Sequence, residues 1–184
     1  NDLWLFSDEC YEQLVYDTTF KSCATFSDYD KIVTFQSCSK TYAMTGWRIG
    51  YAACDSKVAR AMSKLQGQST SCPNSIAQHA AVEALMGDQG SVNKMRDVFN
   101  QRRKLIVSRL NELSGITCNM PGGAFYVFPS IKHYLGCKFE KNVVKSGSDF
   151  SLLLLEKESV VTVAGDSFGA PEHIRLSYAA SEAD

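Results

Sequence analysis

No apolar stretch of this chain reaches the roughly twenty residues that a membrane-crossing helix requires. The opening Asn1-Asp2-Leu3-Trp4-Leu5-Phe6 also lacks the basic residues that begin a secretory leader, so no membrane partner is expected. Charge of one sign is not in excess either. With 19 Lys and Arg against 20 Asp and Glu, the net charge of -1 gives no electrostatic case for nucleic acid or an anionic surface. The seven cysteines, at 10, 23, 38, 54, 72, 118 and 137, include no Cys-x-x-Cys pair, which speaks against a zinc site and a disulfide framework. Reduced, mostly buried thiols of an intracellular protein are the simplest account. His79, His133 and His173 lie too far apart for metal-ligand spacing and read as structural or surface residues. Internal repeats and low-complexity tracts are missing as well. What remains is ordinary globular composition over 184 residues, 45% hydrophobic and 21% charged, enough for one domain or two small ones.

The informative stretch is Ser37-Cys38-Ser39-Lys40-Thr41-Tyr42-Ala43-Met44-Thr45-Gly46-Trp47-Arg48-Ile49-Gly50-Tyr51. Lys31–Phe35 before it and Trp47–Cys54 within and after it have the β-branched and aromatic make-up of strands, which puts Lys40 in a loop between them. One lysine is thus flanked by the hydroxyls of Ser37 and Ser39 and followed by Arg48, a planar cation suited to phosphate oxygens. Such a set could take a phosphorylated aldehyde; the plainer reading is a solvated surface loop. Upstream, Leu3-Trp4-Leu5-Phe6 is a short continuous apolar run of the kind that forms a central parallel strand covered on both faces. Asp8 follows its C-terminal end, where open α/β sheets receive ligands, although a capping role in the next turn is equally available. Glu9 reads as a surface or packing residue, and residues 18–30 as a polar loop.

Downstream, Asp55-Ser56-Lys57 caps a helix over 58–65, and Ser75 starts another through Met86 whose alanines suit close packing. A long helical pattern runs from about Ser91 to Leu113 and rises roughly 34 Å, with Arg96, Arg102, Arg103, Lys104 and Arg109 on its solvated side. Its start is the expected boundary between two domains, 1–95 and 96–184, and Ser114-Gly115 ends it. Short strands are expected over 116–118, 124–128, 160–164 and 173–178, a helix over 149–157, a polar loop over 141–147 and a mobile glycine-bearing loop over 165–171. Arg175 stands alone in the last strand. It is suited to clamp a carboxylate bidentately, the alternative being an ion pair with an internal acid.

Ser37-x-Ser39-Lys40 with Ala43, Met44, Gly46, Arg48 and Gly50 resembles the pyridoxal-phosphate attachment motif of class I and II aminotransferases, and its surroundings are most similar to bacterial-type aspartate aminotransferases. Asp8-Glu9-Cys10-Tyr11 resembles the Asp-Glu-x-Tyr motif of the same family, and His173-Ile174-Arg175-Leu176-Ser177-Tyr178 its carboxylate-binding segment. The resemblance implies an α/β fold: part of a pyridoxal-phosphate-dependent transferase large domain, mostly parallel sheet with helices, over 1–95, and a smaller α+β C-terminal domain over 96–184. It also implies a Schiff base at Lys40, Asp8 at the pyridine nitrogen, Tyr11 at the phenolic oxygen, Ser37, Ser39 and Arg48 at the phosphate, and Arg175 at the substrate carboxylate; for Thr70 a phosphate contact is a weaker implication. The expected activity is transfer of an amino group between an L-amino acid, aspartate-like by preference, and a 2-oxo acid, in a cytoplasmic homodimer. A lyase of the same fold, of the aminocyclopropane-carboxylate synthase type, is the alternative. Family members are longer, so the chain is expected to be the C-terminal part of such an enzyme and could be a catalytically incomplete fragment.

Overall fold

The computed structural model describes residues 2–26 and 31–181. The expected polar loop over 18–30 therefore falls partly outside the described residues, at 27–30. The chain divides into two compact units, Asn1–Arg96 and Asp97–Asp184.

In the first unit three strands form one sheet in the order β1 (Leu5–Asp8), β2 (Ile32–Ser37), β3 (Gly50–Ala53). β1 runs parallel to β2, with Leu5 opposite Ile32 and Asp8 opposite Phe35, whereas β3 is antiparallel to β2, with Ser37 opposite Gly50. Two adjacent parallel strands thus end side by side. β2 is the best-covered strand, with Ile32, Val33 and Thr34 buried. The expectation of β1 as a central strand covered on both faces is not met among the described residues: it lies at one edge of this sheet, and Leu5 and Phe6 are 43% and 66% exposed, although the Phe6 ring meets those of Trp4 and Phe35.

Ser37 ends β2 and caps α1 (Cys38–Thr41), accepting the Ser39 N–H, so Lys40 stands on a single helical turn and not in an open loop. The expected strand over 47–54 starts later, at Gly50, because Thr45–Trp47 wind into a 3-10 turn and Arg48 takes a left-handed φ of 52°. Gly50 is required at that start, since a Cβ there would lie 2.6 Å from the Gln36 carbonyl oxygen. Two longer helices follow. α2 (Ser56–Ser69) is capped by Asp55, as its sequence signal indicates, and α3 (Ser75–Met86) by Asn74. Ala77 and Ala81 of α3 are buried, and Ala81 joins Cys38 and Met44 in the small core of this unit.

The division between units falls inside α4 (Gly90–Glu112), which Gly115, in the left-handed region at φ 77°, terminates. The second unit carries a three-stranded antiparallel sheet in the order β4 (Tyr126–Val127), β8 (Ile174–Ser177), β7 (Val163–Ala164). Before β7 come a hairpin, β5 (Lys138–Phe139) with β6 (Asn142–Val143), and helix α5 (Gly147–Glu158). The hairpin lies partly where a polar loop is expected, and residues 116–118 contribute only an isolated bridge from Thr117 to Ser130. In place of a full strand there, the Asn111 side chain bonds both the N–H and the carbonyl of Cys118, at 2.8 and 2.9 Å. Val107, Cys118, Val127 and Tyr178 form the core, with Phe99, Ile106, Leu110, Phe125 and Leu176 packed on it.

One expectation for α4 is overturned. Arg103 is not on a solvated face but only 1% exposed, because it stands one turn from both Phe99 and Val107 on the apolar stripe. Its guanidinium donates to the Pro121 carbonyl at 2.7 Å, which satisfies part of a buried charge and ties the 121–124 turn to the helix. The thiols are free, but among them only Cys38 and Cys118 are buried, while Cys72 and Cys137 are exposed. No helix among the described residues is long and apolar enough to cross a membrane.

Candidate functional site

Parallel pairing of β1 with β2 fixes the first element of the site. Asp8 closes β1 and Ser37 closes β2, so the Asp8 carboxylate and the α1 turn bearing Lys40 emerge at the same edge of the sheet, past the C-terminal ends of its parallel strands. Asp8 does cap the turn after β1: its Oδ1 accepts the Cys10 N–H at 3.2 Å. The carboxylate lies close enough to the Cys10 thiol to affect its acidity. Burial, then the Asp8 charge and the hydrogen bond to it, push the Cys10 thiol above its ordinary value, while the Lys40 charge pulls it down. Asp8 and Lys40 therefore act on one shared neighbour. Cys10 occupies the position that the sequence motif leaves unspecified.

Tyr11 follows in the same turn, where its carbonyl accepts the Leu14 N–H at 2.9 Å, and its side chain is half-buried. Glu9, expected at the surface or in packing, is 4% exposed and takes hydrogen bonds from the Ser22 hydroxyl and the Cys23 N–H, both at 3.0 Å. It thereby fixes the segment that follows β1. Glu12 accepts from Gln36 of β2 at 2.8 Å, a second tie between this turn and the Lys40-bearing strand.

The Ser37 hydroxyl accepts the Ser39 N–H at 3.1 Å, which leaves its own proton to donate. Two non-glycine residues after Lys40, Ala43 and Arg48, hold left-handed φ values of 53° and 52°, each costing roughly 1 kcal/mol or more. Both lie within eight residues of the lysine, while Asp17, Ser71, Ala124, Glu140 and Ser159 hold positive φ elsewhere in the chain. Arg48 donates through one nitrogen to the Thr45 carbonyl at 2.8 Å, and the exposed remainder of its fork lines an open cleft with Gly46, Trp47, Gln66, Thr70 and Asn74. Asp8 and Lys40 are not among the residues lining that cleft. Tyr42, which no motif singles out, bonds Gln89 at 3.3 Å, and burial, with Cys38 and Glu12 adding to it, pushes its hydroxyl up.

Arg175 belongs to the second unit, on β8. Among the described residues no carboxylate pairs with it. Instead its guanidinium carbon stands 4.5 Å from the centroid of the Tyr126 ring and 4.9 Å from that of Phe168.

The chain as a whole is similar to known proteins. A sequence model of the family "Aminotransferase class I and II" matches residues 1–184. The chain is 45% identical over 184 residues to a probable aspartate/prephenate aminotransferase of Rhizobium leguminosarum bv. phaseoli, covering 98% of this chain and 46% of that one. It is 41% identical to an asparagine–oxo-acid transaminase of Streptococcus mutans serotype c, covering 97% and 45%. Among solved structures, the aspartate aminotransferase of Rhizobium meliloti superposes with a TM-score of 0.93 at 41% identity, over 98% of this chain and 46% of the other. The chain spans about half the length of the curated relatives it matches.

Proposed function

The chain belongs to the class I and II aminotransferase family, and we propose that, within a longer polypeptide, it supplies the pyridoxal-phosphate-holding lysine and the carboxylate clamp of an aminotransferase. The observation that carries this reading is the parallel pairing of β1 with β2, which brings Asp8 and the turn bearing Lys40 to the same edge of the sheet. Their chemistry fits the cofactor: an amine for its aldehyde, an anion for its ring nitrogen, and hydroxyl and guanidinium donors for its phosphate.

When bound, the cofactor supplies an electron sink for the bond that breaks at the substrate Cα. Lys40 would hold the cofactor through its aldehyde carbon, and its amine would be the base that moves the Cα proton. Asp8, as an anion, keeps a proton on the ring nitrogen. Tyr11 donates to the phenolic oxygen. Ser37, Ser39 and Arg48 grip the phosphate and so fix where the ring lies. Arg175 takes the substrate carboxylate and sets the orientation of the Cα–H bond. Residues 1–95 then belong to the cofactor domain and 96–184 to the smaller one. An aspartate-like donor is favoured by the names of the relatives, and the asparagine transaminase among them supports an amide donor as a second candidate. A homodimer is part of the same proposal, as is a cytoplasmic site, which seven free thiols support.

Borohydride reduction of the cofactor-loaded, full-length enzyme, followed by peptide mapping, is expected to label Lys40; a label on another lysine removes the assignment. Assay against a panel of amino donors with 2-oxoglutarate then sorts the substrate, and 2-oxo acid formation separates transamination from loss of a γ-substituent by a lyase. The 184-residue chain alone is expected to be inactive, a reading supported by the exposed apolar side chains of its first unit, among them Phe6, Leu65 and Met86.

A further inference from the structure

Arg175 is expensive to place in a strand without a partner, and its partners here are aromatic rings. The two rings reach it from opposite neighbours of β8. Tyr126 lies on β4, which pairs with β8 through Tyr126 opposite Ser177, so Tyr126 and Arg175 are diagonal neighbours on the same sheet face. Phe168 lies on the 3-10 turn Gly165–Phe168 that follows β7, the strand pairing β8 on its other side with Val163 opposite Arg175. The Phe168 ring is 50% exposed, so core burial does not account for where it stands.

The turn bearing Phe168 is held firmly. Gly165 donates to the His173 carbonyl at 2.8 Å and accepts the Ala170 N–H at 3.0 Å, while Gly169, at a φ of 71°, donates to Asp166 at 3.1 Å. A second tier of rings stands behind Phe168: Phe128 meets it edge-on at 5.8 Å, and His173 stacks on Phe128 at 4.9 Å and 9°. A guanidinium is weakly hydrated over its faces and strongly hydrogen-bonding at its edges, so rings against the faces cost little and leave the edge N–H groups to a planar acceptor. They also limit the rotamers that a long side chain would otherwise sample and would have to give up on binding.

We propose that Tyr126 and Phe168 are positioning residues for Arg175, holding its fork in the orientation that receives the substrate carboxylate. This rests on the reading of Arg175 as the carboxylate clamp. The Arg175 edges, with no carboxylate among the described residues to occupy them, stay available to the ligand.

The test uses the full-length, cofactor-loaded enzyme, with binding of 2-oxoglutarate measured by calorimetry in the absence of an amino donor, and KM and kcat measured in turnover. Phe168→Leu keeps apolar bulk and removes the ring. It is expected to weaken 2-oxoglutarate binding by about 3- to 30-fold, the range a partly desolvated cation–ring contact supplies, and to raise KM by a similar factor with a smaller change in kcat. Phe168→Tyr restores the ring and is expected to bring binding back toward wild type. Tyr126→Leu, expected to act in the same direction, serves if Phe168→Leu does not fold. Binding and KM within about twofold of wild type in the leucine variants, or a Phe168→Tyr variant as impaired as Phe168→Leu, overturn the proposal. Arg175→Lys separates the two levels. If it abolishes binding while the leucine variants do not weaken it, the ring inference alone falls; if Arg175→Lys leaves binding intact, the clamp reading falls and takes this one with it.

Discussion

The two units differ in where their apolar residues go. In the first, Leu3, Trp4, Phe6, Leu65, Ile76, Val82 and Met86 are half or more exposed, and the buried cluster is small, Cys38, Met44 and Ala81. In the second, one face of α4 closes with Cys118, Val127 and Tyr178 over a core reinforced by Phe99 and Phe125, whose rings lie 5.5 Å apart. A sheet with a parallel pair is stable when both its faces are covered, and the first unit displays side chains suited to such a cover without having it among the described residues. The edge bearing Asp8 and Lys40 is therefore carried by a layer that would gain stability when something packs on it, whereas in the second unit fewer large apolar side chains are half or more exposed, Leu113, Leu152, Val161 and Phe168 among them. Function and stability should respond to different residues in the two.

The largest effect expected is on function. In the full-length enzyme, Lys40→Ala should cut transamination by more than about 100-fold, since on the proposed reading it removes the base that moves the Cα proton. Its melting temperature should stay close to wild type, because Lys40 contributes nothing to either buried cluster. Turnover retained in this variant would break the assignment of chemistry to the first unit.

The next effect is on stability. Arg103→Leu should destabilise the second unit by about 2–4 kcal/mol, because the Pro121 carbonyl loses its charged donor in a buried setting. Urea unfolding of the 184-residue chain, followed through its tyrosines and tryptophans, measures it. A loss below about 0.5 kcal/mol would mean that the guanidinium is a passenger. A pair of equivalent truncations sharpens the contrast further: Val107→Ala, at 5% exposure, should cost about 1–3 kcal/mol, while Val82→Ala, at 59%, should stay within about 0.5 kcal/mol. In a full-length chain the cost of Val82→Ala should grow if that surface is covered there. Equal costs at the two sites in the 184-residue chain would erase the difference between the units.

Much of this arrangement was legible before any coordinates. Lys40, its serines and Arg48 are contiguous, so a local pattern finds them, and α3 and α4 show plain helical periodicity. Asp8 is singled out as a candidate because the strand before it is a continuous apolar run; that β1 lies at an edge among the described residues is not legible, since the run reports what a strand is suited to and not what covers it. Arg103 was misplaced because a charge on a helix is read as solvated, although its position one turn from Phe99 and Val107 puts it on the apolar stripe. For Glu9 the sequence leaves surface and packing open, and the structure takes the packing alternative. The bracket around Arg175 draws on residues 126, 168 and 175, which only the pairing of β8 with both neighbours brings together. No local pattern contains it.

The smallest effect, and the finest test of the comparison, lies in the two buried thiols, one per unit. Burial pushes both Cys38 and Cys118 above the ordinary 9.0. The folded chain thus binds these protons more tightly than the unfolded one. Their stabilising contribution is full below pH 9 and is lost as the pH rises through the folded values, so stability should fall on the alkaline side and not between pH 6 and 8. Alkylation by iodoacetamide at pH 8 should consume the exposed Cys72 and Cys137 first. Cys38, 1% exposed, and Cys118, 6% exposed, then react only when their surroundings open. Static burial alone would protect Cys38 slightly better. If the first unit is the less self-sufficient layer, Cys38 should instead react faster than Cys118, by about tenfold for each 1.4 kcal/mol separating their opening free energies. Protection of Cys38 equal to or greater than that of Cys118 would show that the exposed apolar side chains of the first unit do not weaken it.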